Sequence, residues 1–86
     1  MKYQVTIKKS AAKELESLPK KVLVSVTQSI AGLSDNPRPQ GCKKLKGQTD
    51  SLWRIRIGDY RVVYQIEDVI KIVDVKRVGH RKDIYD

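Results

Sequence analysis

Three arginines, Arg54, Arg56 and Arg61, lie close together in the stretch WRIRIGDYRVVYQI, which spans positions 53–66. Gly58 and Asp59 at its centre, with alternating apolar residues on both sides, predict a β-hairpin with a two-residue turn. Such a turn fixes the register of the two strands. The expected cross-strand pairs are Ile57 with Tyr60, Arg56 with Arg61, Ile55 with Val62, and Trp53 with Tyr64.

Side chains alternate between the two faces of a strand, so this hairpin has one apolar face and one basic face. We call the basic side the arginine face and define it by Arg54, Arg56 and Arg61. Like charges directly opposite each other destabilise a sheet, by roughly several tenths of a kcal/mol. Converging guanidinium groups match the geometry of phosphate oxygens. We therefore interpret this face as a phosphate-binding platform, with ordinary exposed strand residues as the alternative.

The segment after the last predicted strand adds further basic and titratable side chains. If that strand pairs antiparallel with the strand of Arg61, its C-terminal end lies beside the hairpin turn. The side chains delivered near the arginine face are then Arg77, His80, Arg81, Lys82 and Tyr85, with Gly79 giving the backbone room to turn. His80 is a candidate acid or base, although a lone histidine is more often structural. For Tyr85, a frayed terminus is the alternative interpretation.

Guanidinium groups, an imidazole and a phenol beside a phosphate are suited to RNA cleavage without a metal or other cofactor. The 2′-hydroxyl of RNA can attack the adjacent phosphorus, so a protein needs to position it, stabilise charge and move two protons. Arginine stabilises charge well but is a poor base, since its pKa lies above about 12. Proton removal then falls to Tyr85 or His80. The sequence contains no P-loop, GxGxxG motif, metal-ligand cluster or Ser-His-Asp set.

The N-terminal half predicts the elements that position these side chains. Alternation around Tyr3, Val5 and Ile7 predicts a first strand. Residues 10–19 predict a short helix with Ser10 as its N-cap, and residues 19–34 predict a second helix. An apolar stripe along the second helix must pack on a sheet; its members are Val22, Val26, Ile30 and Leu33.

The second half of the chain predicts a sheet. Prolines and a glycine in residues 36–41 predict a loop, followed by an irregular basic lead-in over residues 42–51. From Leu52 onward, runs rich in Val, Ile and Tyr predict three strands in an antiparallel meander. The expected fold is α+β with the order βααβββ, an antiparallel sheet packed against an N-terminal helical hairpin. Residues 1–86 form one domain.

Composition restricts the partners. The chain of 86 residues has 18 Lys+Arg and 10 Asp+Glu, a formal net charge of +8. Such a balance favours polyanionic partners, with nucleic acid first, an acidic protein second and an anionic membrane third. No apolar run approaches the roughly 18–20 residues that span a bilayer, and the N-terminus lacks a signal-peptide pattern. The single Cys42 has no internal disulfide partner, so a reducing cytoplasm is expected.

The runs KLKG, WRIRIGDYRVVYQI and VGHRKDIY, with the βααβββ order, resemble the RelE group of the RelE/ParE superfamily. These are the toxins of bacterial type II toxin–antitoxin systems, with a microbial-RNase-like fold. The resemblance spans essentially the whole chain. It implies a metal-independent, ribosome-dependent endonuclease that cuts mRNA in the A-site codon and leaves a 2′,3′-cyclic phosphate.

Residues at positions that match the family's motifs are expected to have the roles that the family assigns to them. Arg54 and Arg56 correspond to basic residues, often lysines, that line the cleavage site. Arg61 and Arg81 correspond to phosphate-stabilising arginines, with Arg81 also assisting the leaving 5′-oxygen, and Tyr85 corresponds to a tyrosine that stacks on or activates the substrate nucleotide. The expected contacts to ribosomal RNA or mRNA are Lys43, Lys44, Lys46, Arg77 and Lys82.

The resemblance also implies partners. The expected antitoxin is small, acidic and RelB-like, folds as it wraps the toxin, and mediates binding of the complex to its operator DNA. Two other functions stay open at this point. A ParE-like toxin with the same fold would inhibit DNA gyrase without cleaving RNA, and a basic nucleic-acid-binding module would act by charge alone, with steep salt dependence.

Overall fold

The computed structural model describes residues 2–45 and 51–84. Two helices and five strands lie within these ranges, and the strands form one sheet with the order β1-β5-β4-β3-β2. The elements in chain order are β1 (Gln4–Ile7), α1 (Lys9–Glu16), α2 (Lys20–Gly32), β2 (Lys43–Lys44), β3 (Leu52–Ile57), β4 (Tyr60–Glu67) and β5 (Ile72–His80).

The sheet is mixed, which corrects the predicted antiparallel sheet at one edge. Strands β2 to β5 are antiparallel as expected, but β1 pairs in parallel with β5, from Gln4 opposite Ile72 to Ile7 opposite Val75. Parallel neighbours require a long crossover, and here the two helices and the rest of the sheet supply it. The irregular lead-in predicted over residues 42–51 also contains a short strand, β2, which pairs with β3.

The helices begin close to the predicted positions. Helix α1 starts at Lys9 with Lys8 as its N-cap, so the predicted cap at Ser10 is wrong and Ser10 lies in the first turn. Pro19 is the N-cap of α2. The predicted stripe on α2 is confirmed, since Val26, Ile30 and Leu33 are buried. They pack with Ala11 of α1 against the sheet residues Ile55, Val62, Tyr64, Ile66, Val73, Val75 and Val78.

A β-bulge in β5 determines which face each later residue of the strand occupies. Val63 pairs with Arg77 and Tyr64 pairs with Val75, so Lys76 is the extra residue between them. Because a bulge shifts the alternation by one position, Val78 joins Val73 and Val75 on the helix-facing side. The bulge therefore places Gly79 on the opposite side of the sheet, across from Arg61.

Among the described residues, no helix is long and apolar enough to cross a membrane.

Candidate active site

The predicted hairpin register is confirmed in every pair. Arg56 lies opposite Arg61, and Arg54 lies opposite Val63. The partners on the other face are Ile57 with Tyr60, Ile55 with Val62, and Trp53 with Tyr64, and this face packs on the helices. The three arginines thus share the side of the sheet that the helices do not cover.

Two of these arginines are buried, which the sequence alone did not predict. Arg54 is 2% exposed and Arg61 is 8% exposed, whereas Arg56 is exposed. The guanidinium of Arg61 donates from Nη1 to the carbonyl oxygens of Gly58 at 3.2 Å and Tyr60 at 3.1 Å. A guanidinium held by the turn of its own hairpin has little rotamer freedom left to lose when an anion binds.

Strand β2 extends the basic surface. Lys43 pairs with Arg54, so it projects on the arginine face, while Lys44 pairs with Trp53 and projects on the other side. Both lysines are exposed. An open cleft of about 710 Å³ runs beside Lys43, Arg54 and Arg56 and is closed on its far side by α2 and residues 36–42. Lys46, the third predicted contact in this segment, lies outside the described residues.

The end of β5 brings Arg81 to the arginine face. The backbone N–H of Arg81 donates to the carbonyl of Asp59 at 2.7 Å, which continues the β4–β5 ladder to the hairpin turn. Its side chain is 60% exposed, with Nε 3.8 Å from the Asp59 carboxylate. A second cavity, of about 410 Å³, is lined by Arg61, Arg81, Lys82 and Ile84. The structure therefore brings Arg81 and Lys82 together with Arg61, as the sequence predicted.

Gly79 makes room for this arrangement. It lies opposite Arg61, and a Cβ at this position would be 3.1 Å from Cδ1 of Ile84. Ile84 is consequently able to pack against the bare backbone of the strand, and it is buried. Gly79 itself is within the strand, so the predicted turn comes later, at residues 81–83. Tyr85 follows Ile84 in the sequence and lies outside the described residues.

Two predicted site residues are placed elsewhere. His80 pairs with Tyr60 on the helix-facing side, and their rings meet edge to face with centroids 5.3 Å apart. The bulge in β5 is the reason, because it reverses the face that simple alternation would give His80. Arg77 pairs with Val63, but its Nη2 reaches Glu14 of α1 at 3.1 Å at the edge of the sheet. Neither joins the cluster around Arg61, which corrects the expected placement of both.

Loop residues 36–42 form one wall of the cleft and are anchored to the sheet by a hydrogen bond. The hydroxyl of buried Tyr64 donates to the carbonyl of Pro37 at 2.7 Å. Burial raises the pKa of this phenol, with the nearby Cys42 thiol as a smaller cause, so Tyr64 stays protonated and remains a donor. The sequence indicated Tyr64 as a core residue but gave no sign of this hydrogen bond.

An ion pair between Arg38 and Asp68 also holds this loop to the β4–β5 connection. Arg38 donates to both carboxylate oxygens of Asp68, at 3.2 and 2.8 Å, and its guanidinium lies 5.0 Å from the centre of the Trp53 ring. The hydroxyl of Tyr3 donates to the same carboxylate at 2.7 Å. These hydrogen bonds, that of Arg38 first, lower the pKa of Asp68 to about 2.

This anchor predicts a defined pH dependence for Asp68→Asn. A carboxyl whose folded-state pKa is lowered stabilises the fold above its unfolded pKa of about 3.9, and this contribution is lost as the pH falls towards 2. The melting temperature of wild type should therefore exceed that of Asp68→Asn by a constant amount above about pH 5. Thermal unfolding followed by circular dichroism should show the gap closing between about pH 4 and pH 2. A gap at pH 2 as large as that above pH 5 would contradict this assignment.

The described residues, 2–45 and 51–84, contain no group of three or more His, Cys, Asp or Glu side chains that could hold a metal ion together. The groups that the arginine face presents to a ligand are guanidinium and ammonium donors. Such donors bind the oxygens of phosphate with short, charge-assisted hydrogen bonds.

Comparisons with known proteins identify the family of this chain. Residues 5–85 match the family model described as the ParE toxin of type II toxin–antitoxin system, parDE. The chain is 36% identical over 84 residues to Toxin RelE of Mycobacterium tuberculosis, covering 96% of this chain and 86% of that protein. It is 34% identical over 88 residues to Putative toxin RelE1 of Methanocaldococcus jannaschii, covering 99% and 97%.

A solved structure gives the same result for the fold. The archaeal RelE–RelB complex from Pyrococcus horikoshii matches with a TM-score of 0.83 at 33% identity, over 98% of this chain and all of the matched chain. The resemblance noted in the sequence is therefore confirmed at the level of sequence and of structure.

Proposed function

This chain belongs to the RelE-like toxins of the RelE/ParE superfamily of type II toxin–antitoxin systems, and on that premise we propose that it is a ribosome-dependent mRNA endonuclease. It enters the A site of a translating ribosome, cuts the codon there and so stops translation. The observation that supports this most directly is the grouping of Arg54, Arg56 and Arg61 with Arg81 on one face of the sheet.

The proposed reaction is an internal displacement within the RNA. The 2′-oxygen of one nucleotide attacks the adjacent phosphorus, the bond from phosphorus to the 5′-oxygen breaks, and the products are a 2′,3′-cyclic phosphate and a 5′-hydroxyl. One proton leaves the 2′-hydroxyl and one is delivered to the 5′-oxygen, so no cofactor is consumed. Catalysis then consists of positioning and of stabilising the charge that builds up on the phosphorane oxygens.

Arg61 is the best placed group for that charge. It is nearly buried and held by the carbonyls of the hairpin turn, so its donors are already oriented before substrate binds. Preorganised donors in a site of low dielectric lower a barrier more than mobile ones. Arg81 is more exposed and lies on the far side of the same cavity, where it donates a hydrogen bond to the departing 5′-oxygen.

Tyr85 supplies the remaining role. Ile84 packs against Gly79 beside Arg61 and Arg81, and Tyr85 is the next residue in the chain. Its ring stacks on the substrate nucleotide, or its hydroxyl takes part in proton removal. Tyr85→Phe separates the two roles, because phenylalanine keeps the ring and loses the hydroxyl.

The ribosome is engaged by charge. Lys43 and Lys44 project from opposite faces of the short edge strand β2, and both are exposed. Together with Lys82 they contact RNA phosphates, as does Lys46 in the segment that follows. Contacts of this kind release counterions, so association with ribosomes weakens steeply as salt is raised. An activity on ribosomes places the protein in the cytoplasm.

An antitoxin is the expected protein partner. The matched Pyrococcus horikoshii structure is a complex of RelE with RelB, and a net charge of +8 on 86 residues favours an acidic partner. We expect a RelB-like antitoxin to cover the basic surface of this chain, and operator DNA to bind through that complex. Co-expression with the gene adjacent to the toxin gene should restore growth.

Inhibition of DNA gyrase is the second candidate, because the matching family model is described as a ParE toxin. The arginine cluster favours cleavage of RNA, since blocking a gyrase needs no preorganised phosphate site. A supercoiling assay with purified gyrase distinguishes the two functions.

The experiment that tests the proposal is primer extension on a defined mRNA in a purified translation system, with and without ribosomes. Wild type should cut within the A-site codon only when ribosomes are present. Arg81→Ala should slow cleavage by about a hundredfold or more, as expected for loss of a group that stabilises the leaving oxygen. Intact mRNA under conditions in which translation proceeds normally would overturn the proposal, and the gyrase assay would then be decisive.

A further inference from the structure

His80 does not face the arginine cluster, yet it organises the turn that follows β5. Its Nδ1 accepts a hydrogen bond from the backbone N–H of Lys82 at 3.1 Å. Its backbone carbonyl accepts the N–H groups of Asp83 at 2.8 Å and Ile84 at 3.2 Å. A single residue thus receives three backbone donors from the next four positions, and it does so from both its side chain and its main chain.

This turn carries Lys82 and Ile84, which line the cavity beside Arg61. The N–H of Arg81 is fixed on Asp59 by the strand ladder, and Ile84 packs on Gly79. Between them, Lys82 and Asp83 must reverse the chain direction within two residues. The imidazole is the only side chain shown to hold that reversal among the described residues, because it takes the Lys82 N–H that would otherwise have no partner inside the turn.

We infer that His80 is a positioning residue whose imidazole Nδ1 holds the 81–84 turn against the arginine face, so that loss of this acceptor releases the turn and slows cleavage. The effect on cleavage rests on the proposed function, whereas the effect on the turn does not. An imidazole that accepts at Nδ1 carries its proton on Nε2.

The size of the effect follows from the hydrogen bond. One hydrogen bond of this type corresponds to roughly a two- to tenfold change in the population of the closed turn. Cleavage at saturating ribosome concentration should fall by the same factor when the acceptor is removed.

Two variants separate the acceptor from the rest of the side chain. In His80→Asn, the amide oxygen occupies nearly the position of Nδ1 and accepts from Lys82. In His80→Leu, the apolar contact with Tyr60 is kept and the acceptor is lost. His80→Asn should therefore cleave at close to the wild-type rate, and His80→Leu should be slower by roughly two- to tenfold. All three are compared by melting temperature to exclude general unfolding.

Nuclear magnetic resonance of the purified chain tests the turn without any cleavage. The amides of Lys82, Asp83 and Ile84 should exchange faster with solvent in His80→Leu than in wild type, and those of His80→Asn should exchange as in wild type. Equal exchange rates in His80→Leu and wild type would overturn the inference, whatever the cleavage result. A closed turn in an inactive wild-type protein would instead contradict the proposed function alone.

Discussion

Replacing Arg61 by alanine should lower the single-turnover rate of mRNA cleavage by about a hundred- to a thousandfold, the usual effect of removing one preorganised donor from an oxyanion-type site. The reason is geometric. Arg61 is 8% exposed and its guanidinium is held by the carbonyls of Gly58 and Tyr60, so it reaches the phosphate without reorganisation. A mobile surface cation could not replace it. The measurement is a rapid-quench time course with excess toxin over programmed ribosomes.

Two further variants define what Arg61 contributes. Lys13→Ala removes one positive charge from an exposed site on α1, on the other side of the sheet, and should cleave within about threefold of wild type since its charge is screened by salt. Arg61→Lys keeps the charge and loses the planar fork, so its rate should be intermediate. Equal losses in Arg61→Ala and Lys13→Ala would show that net charge, and not the placed guanidinium, accounts for the effect.

Replacing Tyr64 by alanine should destabilise the protein by about 3–5 kcal/mol, the range for deleting a large buried ring. Tyr64 is the largest of the fully buried side chains and lies in the centre of β4, beneath the second helix and the loop of residues 36–42. Domains of this size have total stabilities of roughly 5–15 kcal/mol. The variant should therefore be close to unfolded at 37 °C, as measured by urea denaturation at lower temperature.

The hydroxyl of Tyr64 can be tested separately from its ring. Tyr64→Phe leaves the carbonyl of buried Pro37 without its donor and should cost about 1–3 kcal/mol. Tyr3→Phe is the matched control, because its hydroxyl bonds to Asp68 at an exposed site where water can take its place. A loss for Tyr3→Phe as large as that for Tyr64→Phe would contradict the assignment of Tyr64 as the anchor of this loop.

The sequence predicted the central hairpin fully. Gly58 and Asp59 form a two-residue turn, and such a turn allows only one register of β3 and β4. The pairing of Arg56 with Arg61 therefore followed directly. The helical hairpin was predictable for a similar reason, since the stripe from Val22 to Leu33 has a helical period and Pro19 separates the two helices.

The features that were missed depend on contacts between distant segments. The parallel pairing of β1 with β5 brings residues 4–7 beside residues 72–75, and no local pattern specifies it. The low exposure of Arg61 likewise involves a distant segment, since the turn that carries Ile84 lines a cavity with it. A neutral residue at position 54 or 61 would have led to the same predicted strand.

One missed feature did leave a signal in the sequence. The core valines of β5 fall at positions 73, 75 and 78, and the spacing of three in place of two marks the bulge at Lys76. Attention to that spacing would have placed Gly79 and Arg81 on the arginine face and His80 on the other. His80 was grouped with the site because the end of the last strand lies beside the hairpin turn, without regard to which face of the strand His80 occupies.

The central claim is that the arginine face cuts RNA within the ribosomal A site. The most direct measurement uses ribosomes stalled with a single defined codon in an empty A site, incubated with the chain, followed by chemical identification of both new RNA ends. The proposed reaction predicts one cut within that codon, with a 2′,3′-cyclic phosphate on one fragment and a 5′-hydroxyl on the other. An uncut message, or ends of a 3′-hydroxyl and a 5′-phosphate, would contradict it.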